Sequence, residues 1–279
     1  MMRLKVSKIL FTLLCVLAFC IVVLSVYRAM NDGKVRAEGF AQMSPFSLRT
    51  DNNDIYDEFY GEIYGQVTET KKRLKYEINT MVQMTNPDKN NSVFLDIGCG
   101  TGNVVTELRG RGYRAFGIDK SAAMAKKAGC KCGDVMEPMQ YEHNTFSHIS
   151  CLCMTIYHLK DKLTFLKNCN SWLIRNGYLI IHMVEPDKHA AAANSKEFRG
   201  VKYTSSYTKP NPDGVTVYKE TFQDMETNHV RQHELTLYME SGIIDLAKTC
   251  GFIIHGVATM APLGKKYTHD YLYIFEKIG

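Results

Sequence analysis

Residues 93–103 read Val-Phe-Leu-Asp-Ile-Gly-Cys-Gly-Thr-Gly-Asn, and no other stretch restricts the fold as strongly. A short apolar run predicts a buried strand, Val93 to Ile97. An acid closes it, and three glycines at alternate positions follow, where bare backbone permits a tight turn and the close approach of a ligand. A helix is expected from Asn103 to about Arg111. The spacing excludes two familiar phosphate cradles. A dinucleotide fingerprint would place its third glycine at Asn103, and a P-loop would need Gly-Lys-Ser/Thr.

The same alternation continues along the chain. Strands are expected at Ala115–Ile118, Ile149–Met154 and Tyr178–Val184, with helices at Ser121–Ala128 and Lys160–Ile174. Short apolar strands alternating with helices imply a parallel sheet covered on both faces, with ligands beyond the carboxyl ends of its strands. Ahead of it, apolar residues at helical spacing from Ile55 to Met84 predict a helix in which Tyr56, Tyr60 and Tyr64 form mainly a packing stripe. Beyond Pro186 the rhythm changes. Val215–Phe222 and His229–Tyr238 alternate apolar and polar and predict a half-exposed antiparallel hairpin turning near Thr227-Asn228. A helix from Ser241, its expected cap, to Thr249 stops at Gly251. Phe252–Thr259 and Tyr271–Phe275 supply two last strands.

At LDIGCGTG, residues 95–102, the chain resembles class I S-adenosylmethionine-dependent methyltransferases. The likeness extends through Phe116-Gly117-Ile118-Asp119-Lys120-Ser121 and Cys132-Gly133-Asp134-Val135, and its closest flavour is the small-molecule enzymes of quinone biosynthesis. The resemblance implies a Rossmann-like α/β fold. Its mostly parallel seven-stranded sheet would carry helices on both faces and a β-hairpin insertion, here residues 187–238, acting as a lid or acceptor pocket. It also implies S-adenosylmethionine as cofactor, lined by Asp96, Gly98, Cys99, Gly100, Gly102, Asp119, Lys120, Asp134 and Val135. Asp96 would orient the methionine part directly or indirectly, Asp119 would accept from the ribose hydroxyls, and Asp134 from the adenine amine. The methyl-transfer mouth would fall at Thr155-Ile156-Tyr157-His158, making His158 and Tyr157 the catalytic candidates. His182 and Glu185 end the fifth strand of the expected sheet and are further candidates. Tyr203, Tyr207, Tyr218, Phe222 and Tyr238 would line a hydrophobic acceptor.

Absent motifs narrow the chemistry. No Asn/Asp-Pro-Pro-Tyr follows the fourth strand, no Pro-Cys nucleophile stands there, and the radical-type Cys-x-x-x-Cys-x-x-Cys is missing. Metal ligation is not expected, because the cysteines outside the first 28 residues lack zinc-site or disulfide-framework spacing and read as free thiols in a reducing compartment.

Charge places the remaining segment. The formal net charge is +5, but Arg3, Lys5, Lys8 and Arg28 stand in the first 28 residues without an acid. The remainder is nearly neutral and lacks the cationic face that nucleic-acid binding requires. Between Lys8 and Arg28 lie 19 uncharged residues, Ile9 to Tyr27. As a helix they extend about 28 Å, close to the hydrocarbon thickness of a bilayer. The expected organisation is a single-pass anchor at 1–28, with a cleaved signal peptide as its rival, then a polar linker at 29–53 and the catalytic domain at 54–279. Free thiols and a cytosolic cofactor point the domain towards cytosol or an organelle matrix. A small-molecule or lipid-like methyl acceptor is the leading expectation. A catalytically silent, cofactor-binding scaffold and a nucleotide-linked oxidoreductase are the alternatives.

Overall fold

The structure, a computed structural model, describes residues 12–30, 45–68, 70–185, 188, 194–239 and 241–279. It divides into two units, Met1–Ser44 and Pro45–Gly279. In the first, Thr12–Met30 forms α1, a 19-residue helix long and apolar enough to cross a bilayer. Ser25 returns its hydroxyl to the Ile21 carbonyl, so the polar atom adds little cost in an apolar setting. The expected apolar run begins at Ile9, outside the described residues, as does most of the expected linker.

The second unit runs β1 (Phe46–Arg49), α2 (Asn52–Ile55), α3 (Glu58–Thr68), α4 (Thr70–Thr85), β2 (Val93–Ile97), α5 (Asn103–Gly110), β3 (Arg114–Asp119), α6 (Ala122–Ala128), β4 (Lys131–Cys132), β5 (Phe146–Cys151), α7 (Lys162–Trp172) and β6 (Leu173–Val184). There follow β7 (Asn194–Phe198), β8 (Val201–Tyr207), β9 (Val215–Asp224), β10 (Val230–Tyr238), α8 (Ile243–Thr249), β11 (Phe252–Thr259) and β12 (Asp270–Lys277). Seven strands form one sheet in the order β11-β12-β6-β5-β2-β3-β4, in which β12 runs antiparallel to β6 and β11 to β12. The pairs β2–β3, β2–β5, β3–β4 and β5–β6 are parallel, as the βαβ alternation requires.

Side chains alternate across this sheet and build a core on each face. Leu95, Ile149, Leu179 and Ile181 point to one side, where Phe165 and Trp172 of α7 and Ile243 of α8 cover them. Phe94, Ile180, Leu272 and Ile274 point to the other, under Ile78 and Met81 of α4 and Leu108 of α5.

The inserted region differs from expectation. The hairpin exists as β9 and β10, in register Val230↔Gln223 through Tyr238↔Val215. It is the centre of a second, five-stranded sheet ordered β1-β10-β9-β8-β7. Phe46–Arg49, inside the expected linker, is a strand paired in parallel with β10. Its charge-poor Phe-Ser-Leu was too short to show a period. Other boundaries moved as well. The expected single helix over 55–84 is three pieces, the α7 helix ends at Trp172, and the strand expected at Ile149–Met154 ends at Cys151. Gly242, at φ 96°, caps α8 in place of Ser241, with no side-chain bond.

Trp172 is fully buried, donates its indole N–H to the Pro138 carbonyl (3.0 Å), and meets Tyr141 edge-on. Trp172→Ala should therefore cost about 3–5 kcal/mol of stability, read by urea unfolding followed by circular dichroism. A loss below about 1 kcal/mol would contradict its place in the core.

Candidate active site

Beyond the carboxyl ends of β2, β3 and β5 lies a cavity of about 420 Å³. Its geometry starts from the glycine turn. Gly98, Gly100 and Gly102 all take positive φ (64°, 53° and 78°), which only glycine adopts without strain. A Cβ on Gly98 would stand 2.6 Å from Thr155 Cγ2, so the two loops meet without room for a side chain. Across the turn, Asp119 at the end of β3 accepts the Gly100 N–H on Oδ2 (2.8 Å) and the Ser121 N–H on Oδ1 (2.9 Å). One carboxylate thus joins the loops after β2 and β3. Burial raises its pKa, and the two N–H groups oppose that rise. Ser121 caps α6 through the Met124 N–H and donates to the Tyr56 carbonyl (2.6 Å), tying in the segment before α3.

Of the expected cofactor residues, Gly98, Gly100, Asp119, Lys120, Asp134 and Val135 line this cavity. Asp134 pairs with Lys120 Nζ (2.9 Å) and accepts the Met136 N–H (3.0 Å). Partial burial pushes its carboxyl up, but these two partners outweigh it and hold the pKa below the ordinary value.

Asp96, Cys99 and Gly102 stand behind the lining. Asp96 is buried and accepts the Ser150 hydroxyl on Oδ1 (2.7 Å), so the side chain points along the sheet. Cys99 turns away towards Cys130, with the two sulfurs 2.7 Å apart, and presses on Gly117. Gly102 packs against Ala128, which a Cβ would approach to 2.9 Å. Their small size and tight turn are structural requirements of the loop.

The catalytic candidates separate. His158 lines the cavity, while Tyr157 is buried with its hydroxyl donated to the Val184 carbonyl and accepting the Val184 N–H (2.9 Å). Tyr157 is a brace between the loop and β6. The three-ten turn carrying both puts consecutive side chains on different sides. Burial drives the His158 pKa down to about 4, with Glu220 opposing, and its Nδ1 is buried without a hydrogen-bond partner. Just before it, Cys153 and Met154 take left-handed backbone (φ 55° and 63°), a costly conformation for side chains of their size.

His182, the further candidate, is sealed between Glu77 (3.4 Å) and Asp270 (3.2 Å), outside the lining. Glu185 accepts the Tyr271 hydroxyl (2.7 Å) and pairs with Lys188. Of the three tyrosines, at least two of which were expected to pack, Tyr56 and Tyr64 face the cavity, whereas Tyr60 is buried and donates to Glu220. Sequence reasoning missed Glu220, Met124 and Cys153. Glu220 carried a visible signal: in β9 it shares the buried phase with Thr216 and Phe222, where a carboxylate needs a purpose.

A family profile described as a methyltransferase domain matches residues 69–240, well over half of the chain. An uncharacterized methyltransferase of Geobacillus sp. (strain WCH70) is 35% identical over 28% of this chain and 32% of its own length. This chain thus spans about a third of that curated relative. Among solved structures, an S-adenosylmethionine-dependent methyltransferase from Clostridium acetobutylicum superimposes with a TM-score of 0.61 at 17% identity, over 79% of this chain and 98% of its own. A sugar N-methyltransferase from Streptoalloteichus sp. gives 0.60 at 15% identity, over 79% and 93%. The chain belongs to the methyltransferase domain family. The domain it carries has the class I, Rossmann-like fold of S-adenosylmethionine-dependent methyltransferases.

The residues present fit that cofactor. Bare backbone at Gly98 and Gly100 opens onto the cavity, and each Asp119 oxygen, holding one N–H, keeps a lone pair for a hydroxyl. Asp119→Asn would turn an amide N–H₂ against one of two backbone donors. It should weaken cofactor binding at least about tenfold by calorimetry; an unchanged affinity would remove Asp119 from the site.

Burial lifts the Asp96 carboxyl to about 7, with the Ser150 hydroxyl opposing. An unfolded aspartate titrates near ~3.9, so the stability linked to this group is present in acid and lost as pH rises through about 7. Asp96→Asn should therefore gain stability relative to the native chain between roughly pH 5 and 8, measured as urea midpoints. A constant difference across that range would contradict the shift.

Proposed function

We propose that this protein methylates a small or lipid-like acceptor at a membrane surface. The observation that carries the reading is the single cavity-lining set in which the glycine turn, Asp119 and Asp134 face Tyr56, Tyr64 and His158. When bound, S-adenosylmethionine supplies a methyl group on a positively charged sulfur. Gly98 and Gly100 then offer backbone, Asp119 takes the ribose hydroxyls, and Asp134 with Val135 takes the adenine edge. Because the leaving group is already activated, the protein's main task is to hold the acceptor in line and exclude water. Tyr56 and Tyr64 supply flat apolar walls for that, and His158, neutral at physiological pH, offers a hydrogen-bond acceptor.

The anchor belongs to the same reading. α1 would hold the protein in the bilayer as a single pass, with the domain in the cytosol or an organelle matrix, and residues between α1 and the domain serving as linker. Full-length protein should stay in the membrane pellet through an alkaline carbonate wash, while a chain lacking residues 1–30 should be released. Release of the full-length chain would overturn the anchor. Methyl transfer is tested separately by incubating the full chain with isotope-labelled cofactor and fractionated membranes. Label is expected in the lipid or small-molecule fraction, and label confined to protein would count against the acceptor class.

A further inference from the structure

Glu220 is fully buried, yet its oxygens meet only neutral donors. Tyr60 (2.9 Å), Tyr203 (2.7 Å) and Tyr218 (3.2 Å) give it their hydroxyls, and His233 Nδ1 stands at 3.5 Å. The nearby guanidinium of Arg231 goes elsewhere, to Asp57 (2.9 Å) and His233 (2.7 Å). Among the described residues no Lys or Arg pairs with Glu220. A buried carboxylate without a cation is costly, since phenols offset only part of its lost hydration.

The carboxylate lies one aromatic layer behind the cavity. Tyr60, which bonds it, meets Tyr56 edge-on at 5.3 Å and Tyr64 at 6.0 Å between ring centres. Tyr56 in turn meets His158 at 6.2 Å. Tyr56, Tyr64 and His158 all line the cavity. Burial and the Glu220 charge together raise the Tyr56 and Tyr60 hydroxyl pKa values, so these rings stay neutral. The wall therefore presents aromatic surface and the edge of a neutral imidazole, with a negative field behind both. Cations near it are engaged: Lys120 with Asp134, Arg73 with Cys153 Sγ and Glu77. Lys160, also in the lining, is exposed to water, where its charge is screened. Aromatic faces backed by a buried carboxylate suit an ammonium better than a carboxylate or phenolate.

Resting on the methyl-transfer reading above, we propose that the acceptor is an amine, drawn as its ammonium form to the Tyr56–Tyr64–His158 wall by the charge of Glu220. In the reaction the ammonium gives up one proton to water, its nitrogen lone pair forms the new N–C bond, and the C–S bond breaks with its electrons retained by sulfur. The sulfonium becomes a neutral thioether, and the methylated nitrogen carries the charge. Glu220 touches neither reactant and is a positioning residue.

The test uses the full chain in detergent micelles with S-adenosylmethionine labelled with ¹³C in its methyl group, and a fractionated small-molecule and lipid extract. Cofactor affinity is measured first by calorimetry. Failure to bind overturns the methyltransferase reading itself, independently of the acceptor. Given binding, the chemical shift of the transferred methyl identifies its atom. N-methyl supports the proposal, whereas O-, C- or S-methyl, or no transfer, overturns it. With the amine so found, Glu220→Gln, which keeps size and shape, should raise KM for it at least tenfold while cofactor affinity stays within twofold. An unchanged KM, or equal losses in both affinities, would assign Glu220 a structural role only. The ¹³C readout on the native chain stands even if that variant does not fold.

Discussion

The two bonds that Asp119 accepts hold the rest of the site in place. A strand-to-helix turn built on three left-handed glycines has few side chains to stiffen it, and part of its shape is set from outside. Asp119 supplies that restraint by taking the Gly100 and Ser121 N–H groups at once. Ser121 passes it on to α6 and to the segment leading into α3. A carboxylate whose place in the sequence marks it as a ligand group is also the clamp that shapes the cavity. Pre-organisation of this kind lowers the entropy lost on binding.

The second organising element is the five-stranded sheet, gripped by side chains of α3 and by Asp57 just before it. Tyr60 and Phe59 pack on Phe222, Tyr60 reaches Glu220, and Asp57 pairs with Arg231. The helix that walls the cavity with Tyr64 is thus the one gripped by the inserted strands. The cavity wall and the packing of that sheet are linked through neighbouring tyrosines, so substitutions in β9 and β10 are felt at the cavity without reaching it.

Legibility in the sequence followed the strength of local pattern. β2 and β11 fall on their expected residues because apolar runs bounded by glycine or turn residues leave few alternatives. Asp96 near the end of β2, Asp119 at the end of β3 and Asp134 just beyond β4 were legible as a series, since each stands at the carboxyl end of a strand. Which of them faces a ligand was not. Asp96 and Asp119 look alike in sequence, and only the Ser150 hydroxyl across the β2–β5 pair shows that Asp96 turns inward. Tyr157 and His158 are neighbours whose roles a single turn of three-ten helix separates. The five-stranded sheet was half visible: its hairpin has a period of two, but β1 is four residues long and its partner is remote.

That remoteness bears on how the chain assembles. β1 precedes every strand of the large sheet, yet its register partners begin at Val230. During synthesis β1 has its strand partner only once β10 has emerged. Closing so long a loop is slow and follows the local βαβ units. The strand that opens the domain therefore waits for β10, and the large sheet waits longer still, because β12, which pairs with β6, is the last strand to emerge.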